Sequence, residues 1–126
     1  MERHFFYKRN FKSKNVRKNA FWMEVNGTKY LISYKTVVAA IDKDNCFHKF
    51  WNDYSVTTMN QINGFIALFD NVFSEKDGTQ IIGFNKEEWL NYPTIIPTYD
   101  DLIIISPYIP TIEYNQYDYV EKIIYN

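Results

Sequence analysis

Side chains able to carry out covalent or metal chemistry are scarce in this sequence. There are two histidines, His4 and His48, and one cysteine, Cys46, in 126 residues. Neither histidine has a carboxylate or cysteine at the spacing of a metal site. Cys46 stands beside Phe47 on a predicted strand, where a small core side chain is expected and not an activated thiolate. The pairs Glu87-Glu88 and Asp100-Asp101 are adjacent in sequence, so their carboxylates point apart. A helix first turn and a loop account for them without acid–base chemistry. Four glycines are too few for a phosphate-binding loop. The expectation is a protein without catalysis, cofactor or metal, whose chemistry is recognition.

Recognition would draw on charge and aromatic surface. The formal net charge of −1 hides an asymmetry. Residues 1–18 carry seven bases (Arg3, Lys8, Arg9, Lys12, Lys14, Arg17, Lys18) against Glu2, a net of +6. Residues 87–126 carry seven acids (Glu87, Glu88, Asp100, Asp101, Glu113, Asp118, Glu121) against Lys122, a net of −6. Lys8, Arg9, Lys12 and Lys14, interleaved with Phe5, Phe6, Tyr7 and Phe11, could neutralise phosphates while rings stack on bases. The plainer account is a solvated arm whose aromatics pack back on the domain. No helix-turn-helix or zinc module is present to read a sequence. At the other end, Asp100, Asp101 and Asp118 among Tyr108, Tyr114, Tyr117 and Tyr119 could occupy a basic, nucleic-acid-binding cleft of a partner. Solubility and charge balance with the N-terminus, including across a homodimer, are the plainer account there.

Length and composition point to one domain with its own core. It divides into a basic arm (1–19), a core (20–92) and a proline- and tyrosine-rich acidic segment (93–126). Eleven Tyr and ten Phe supply large contact area at little side-chain entropy. A lone cysteine cannot form an internal disulfide, which favours a reducing compartment. No secretory leader is evident at the start, and no stretch approaches the roughly 20 apolar residues that span a bilayer. A soluble, cytoplasmic protein is expected, with no membrane partner.

The elements that must position these residues read as an α+β fold: an antiparallel β-meander of about four to five strands with a helix over 57–70 on one face. Asn26-Gly27 between apolar runs is a hairpin turn. It pairs Val25 with Thr28, Glu24 with Lys29, Met23 with Tyr30 and Trp22 with Leu31. A second hairpin joins 35–41 to 46–51 through Asp42-Lys43-Asp44-Asn45. In the helix, Thr57 or Thr58 is the expected cap, and Met59, Ile62, Ile66 and Phe69 form the apolar stripe, widened by Phe65. Gly64 within it points to close approach of another element. A short strand is expected over 80–84. A brief helix near 86–92 follows, with Asn85 as cap, Glu88 as capping-box partner and Pro93 as stop. Leu102-Ile103-Ile104-Ile105 reads as an isolated strand. The tail 113–126 reads as a helix with Tyr114, Tyr117, Val120 and Ile124 on one side, or as an extended segment; the helix is preferred.

From Tyr30 to Phe69 the chain resembles a family of short, uncharacterised phage proteins. The resemblance rests on Ser33, Tyr34, Thr36, Val38 and Ala39, then Tyr54, Ser55, Thr57 and Thr58, then Ile62, Asn63 and Phe65 in the helix. Gln61 stands where such proteins often have histidine. The resemblance implies a phage or mobile-element origin and a β-meander plus helix, and it brings no known activity. Small phage proteins without catalytic residues often act by binding a host machine. The expected function is therefore a stoichiometric inhibitor of a bacterial defence nuclease in the host cytoplasm, with an anti-CRISPR protein against a CRISPR effector as its concrete form. Two rivals are a nucleic-acid-binding accessory protein using the basic arm, and a sponge for a signalling nucleotide.

Overall fold

The computed structural model describes residues 3–5, 20–34, 36–97, 111–114 and 120–124. The fold is α+β. Six strands form one sheet in sequence order: β1 (Arg3–Phe5), β2 (Ala20–Val25), β3 (Thr28–Ser33), β4 (Thr36–Ile41), β5 (Cys46–Lys49) and β6 (Phe73–Ser74). All neighbours pair antiparallel except β5 and β6, which are parallel. Two helices follow β5: α1 (Val56–Ala67), before β6, and α2 (Lys86–Asn91), after it. Thr111–Tyr114 (β7) and Val120–Ile124 (β8) form a separate two-stranded antiparallel sheet.

The first hairpin has the register that the turn dictates, from Val25 opposite Thr28 to Trp22 opposite Leu31. Asn26 and Gly27 have φ of 53° and 85°, the pair of positive angles that such a turn needs. In the next pair the register shifts between Leu31 and Ile32, so Val38 has no partner across from it and β4 is bulged there. The bulge turns Val38 and Ala39 toward one face together.

Both faces of the sheet are apolar. On one, Leu31, Val38, Ala39, Ile41 and Phe47 pack with Met59, Ile62, Phe65 and Ile66 of α1 and with Trp89 of α2. On the other, Phe21, Met23, Val25, Tyr30, Ile32, Val37 and Ala40 form a second buried cluster. The strand sequence makes this inevitable: Phe21-Trp22-Met23 has large apolar side chains at consecutive positions, so neither face of β2 is polar.

Several expectations need correction. The cap of α1 is Ser55, whose hydroxyl accepts from the Thr58 amide at 3.1 Å; Thr57 and Thr58 are inside the helix. Residues 80–84 make only an isolated bridge, Phe73 with Gln80, because their amides and carbonyls find partners outside a ladder. The expected antiparallel meander is present as β1–β5, with Arg3–Phe5 of the basic arm pairing along β2, and the two-residue β6 adds a parallel edge along β5. The described residues of the tail form a strand pair and not a helix. Its β-branched and aromatic positions (Thr111, Ile112, Tyr114, Val120, Ile123, Ile124) favour extended backbone, and Glu113 faces Lys122 in the register. Leu102–Ile105 lies outside the described residues. Asn85 and Glu88 do form the expected capping box.

Two substitutions test this architecture. Gly27→Val imposes a branched side chain at φ of 85°, with the new Cβ only 3.3 Å from that of Lys43. It should lower stability by about 1–3 kcal/mol, read as a fall in Tm. Ser55→Ala should cost about 1 kcal/mol in chemical denaturation, whereas Thr57→Ala should cost clearly less; the reverse order would put the cap elsewhere.

Candidate functional site

Several hollows on the described surface combine charge with an exposed apolar side chain, one of them beside Asp42, His48 and Ile96; the hollow with the broadest lining carries Ile82. It lies between the 74–84 segment and α2. Here a cleft of about 420 Å³ is bordered by Asp77, Ile82, Gly83, Glu87, Glu88 and Asn91, among others. Ile82 is 84% exposed, while its neighbour Ile81 is buried.

This segment is held firmly. The Ile81 amide donates to the Val72 carbonyl at 2.7 Å. Asn63 of α1 grips Phe84 from both sides: its Nδ2 donates to the Phe84 carbonyl at 2.9 Å, and its Oδ1 accepts from the Phe84 amide at 2.8 Å. Gly83 allows this close approach: a Cβ there would lie 3.3 Å from Asn63 Oδ1 and press on the clip. Ile81 and Phe84 therefore turn inward and Ile82 outward on a backbone that cannot easily reverse them.

The other wall is built on Trp89, fully buried in α2. Its ring meets Phe84 and Phe47 edge-on at 5.4 and 6.3 Å, and its Nε1 donates to the Asp53 carbonyl at 2.8 Å. Beneath it Lys49 is buried with no carboxylate partner among the described residues. Its Nζ donates to the Trp89 and Tyr92 carbonyls at 2.6 and 3.1 Å and sits 4.7 Å from the Trp89 ring centroid. Both carbonyls lie at the C-terminal end of α2, where a cation is favoured, and that of Trp89 also accepts from the Tyr92 amide at 3.2 Å. Burial nevertheless pushes the Lys49 ammonium below its usual value. Tyr92 completes the join: its hydroxyl donates to the Phe47 carbonyl and accepts from the Glu75 amide.

On the far side of β5, His48 stands between two carboxylates. Nε2 is 2.8 Å from Asp42 Oδ2 and Nδ1 is 3.0 Å from Glu75 Oε2. Carboxylates only accept, so a ring protonated on both nitrogens satisfies both, and a neutral ring satisfies one. Burial works against the Asp42 charge, but the His48 bond and the Cys46 and Asp44 amides outweigh it and hold the carboxyl below its ordinary value. Cys46 is half-buried and outside the core clusters. Burial and the charges of Asp42, Asp44 and Glu75 raise its thiol, the opposite of what activates a nucleophile. No group of three or more His, Cys, Asp or Glu side chains among the described residues is arranged to hold a metal ion.

Of the acidic binding residues expected from the sequence, Asp100, Asp101, Tyr108, Tyr117, Asp118 and Tyr119 lie outside the described residues, and Tyr114 closes β7 opposite Val120. The basic candidates Lys8, Arg9, Lys12 and Lys14 also lie outside them. His48 has carboxylate company after all, six and 27 positions away in sequence, distances that a local spacing rule does not span. Lys49 shares its strand face with Phe47, and no local pattern marks it as a buried cation. No helix among the described residues is long and apolar enough to cross a membrane.

The buried ammonium gives a signed prediction. A lysine whose folded pKa lies below the unfolded 10.5 binds more protons when unfolded, so between the two values its contribution to stability rises with pH. Wild type measured against Lys49→Met should therefore gain in relative stability as pH is raised from about 8 to about 10. A flat difference in chemical denaturation would mean that burial does not disfavour the charge.

No curated protein and no solved structure matches the chain. A family model does match, over residues 6–91, and so takes in the whole cleft except Tyr92, as well as Lys8, Arg9, Lys12 and Lys14, while the acids from Asp100 onward lie beyond it. That span is more than half of the sequence, and the chain belongs to the family of unknown function DUF8033.

Proposed function

We propose that this protein is a non-catalytic binding protein that masks a basic, nucleic-acid-binding surface of a partner. Its concrete form is a phage-encoded inhibitor of a bacterial defence nuclease, of the anti-CRISPR type, acting in the host cytoplasm. The observation that carries the reading is the cleft, whose lining holds Asp77, Glu87 and Glu88 against Lys76 together with an exposed isoleucine. The composition adds to it, with a net of −6 over residues 87–126. An acidic rim meets a basic partner surface and speeds encounter, and an apolar contact at its centre holds the complex. Steric occlusion needs nothing more than this, and the scarcity of histidine and cysteine is no handicap to it. The tail acids Asp100, Asp101 and Asp118, with Tyr108, Tyr114, Tyr117 and Tyr119, extend the same chemistry.

The test is a cleavage assay with purified CRISPR effector nucleases, the full-length chain being added at increasing ratio. The expected result is inhibition that saturates near equimolar protein, with little affinity for DNA or RNA alone. Reversing Asp100, Asp101 and Asp118 to Lys should slow association and abolish protection. Tight, salt-sensitive binding to a plain oligonucleotide, lost when Lys8, Arg9, Lys12 and Lys14 are neutralised, would replace this reading with the nucleic-acid-binding one.

A further inference from the structure

We infer that the cleft between the 74–84 segment and α2 is itself the docking site, and that its occupant is a basic partner segment carrying an aliphatic residue that seats on Ile82. The inference rests on the binding-protein reading and locates its contact surface in the family-matched part of the chain, away from the C-terminal acids.

Three observations lead to it. First, Ile82 is 84% exposed and Leu90, on the outer face of α2, is 47% exposed; both border hollows that share Glu87 and Asn91. Scattered apolar residues need no explanation, but two flanking the same acidic wall form a patch. Second, the backbone carrying Ile82 is already fixed, by the Ile81–Val72 hydrogen bond on one side and the double Asn63–Phe84 clip on the other. A side chain held outward before binding loses little freedom when a partner covers it, which is what an anchor requires. Third, the charged side chains bordering the two hollows are Asp77, Glu87 and Glu88 against Lys76 and Lys86, with the Lys86 ammonium placed over the Tyr54 ring at 5.0 Å, so the balance favours a partner of positive charge. Asp77 is engaged with Thr79, and Glu88 with the Asn85 amide, whereas Glu87 makes no hydrogen bond or ion pair among the described residues. Glu87 is the carboxylate available to a lysine or arginine.

The experiment titrates the 15N-labelled full-length protein with a soluble synthetic peptide of four arginines and two leucines, and with its glutamate-for-arginine counterpart. Saturable amide shifts are expected at Asp77, Ile82, Glu87 and Leu90 with the basic peptide and none with the acidic one. Ile82→Ser and Glu87→Gln, both surface changes that leave the remaining spectrum in place, should each weaken binding by about fivefold or more. Shifts confined to residues 98–126, no saturable shifts, or unchanged affinity in both variants would overturn the inference. The two proposals fail separately. Nuclease inhibition that survives Ile82→Ser leaves the function standing and moves the site, whereas specific peptide binding without inhibition of any effector keeps the site and changes the function.

Discussion

The whole arrangement depends on one side chain amide acting as a piece of backbone. Asn63 supplies to Phe84 the donor and the acceptor that a neighbouring strand would supply, and so binds the end of the 80–84 stretch to α1, while its start stays bridged to Phe73. Burying those polar groups unpaired would cost on the order of 1–3 kcal/mol each, so the clip is favoured over any arrangement that covers them without a partner. Two positions earlier on the same helix, Gln61 accepts from the Ser33 hydroxyl of β3 and is fully buried. Helix α1 is thus fastened by polar contacts to the sheet on one side and to the cleft wall on the other, with Met59, Ile62, Phe65 and Ile66 filling the space between.

The second wall is fastened to β5. Lys49, Phe47 and Tyr92 join the strand to α2 and to the residues just after it, through the Lys49 ammonium, the Tyr92 hydroxyl and a set of edge-on aromatic contacts around Trp89. On the opposite side of the same strand, His48 ties the β4–β5 turn to Glu75 at the start of the 74–84 segment. A short strand of four residues therefore anchors both margins of the cleft. Its alternation is used in full: Phe47 and Lys49 work on one face, His48 on the other.

Much of this was legible from residue types. The Asn26-Gly27 register, the Asn85–Glu88 capping box and the stripe of α1 are local patterns, and local physics settles them. What stayed hidden depends on partners far apart in the chain. Nothing near Lys49 announces that it will be buried under Trp89, forty residues on. Nothing near His48 announces Glu75. The second apolar face was present in Phe21-Trp22-Met23, yet a meander with one helix leads the reader to expect one covered face. Ile81-Ile82 looked like a strand because β-branched residues favour extended backbone, and only the Asn63 clip shows why the segment stays out of the ladder. Several of the polar and small residues of the 30–69 stretch are joints: Ser33 meets Gln61, Ser55 caps α1, Asn63 holds Phe84, and Val38 sits at the bulge.

The central claim is that the cleft is preformed because α1 holds its wall. Amide hydrogen exchange on the full-length protein, wild type beside Asn63→Ala, tests this most directly. The account predicts that in wild type the Ile81 and Phe84 amides exchange with the slow amides of β3 and β4. In Asn63→Ala those two should lose protection by about tenfold or more, while the β2–β4 ladder is little changed. Equal protection of Ile81 and Phe84 in both proteins would contradict it.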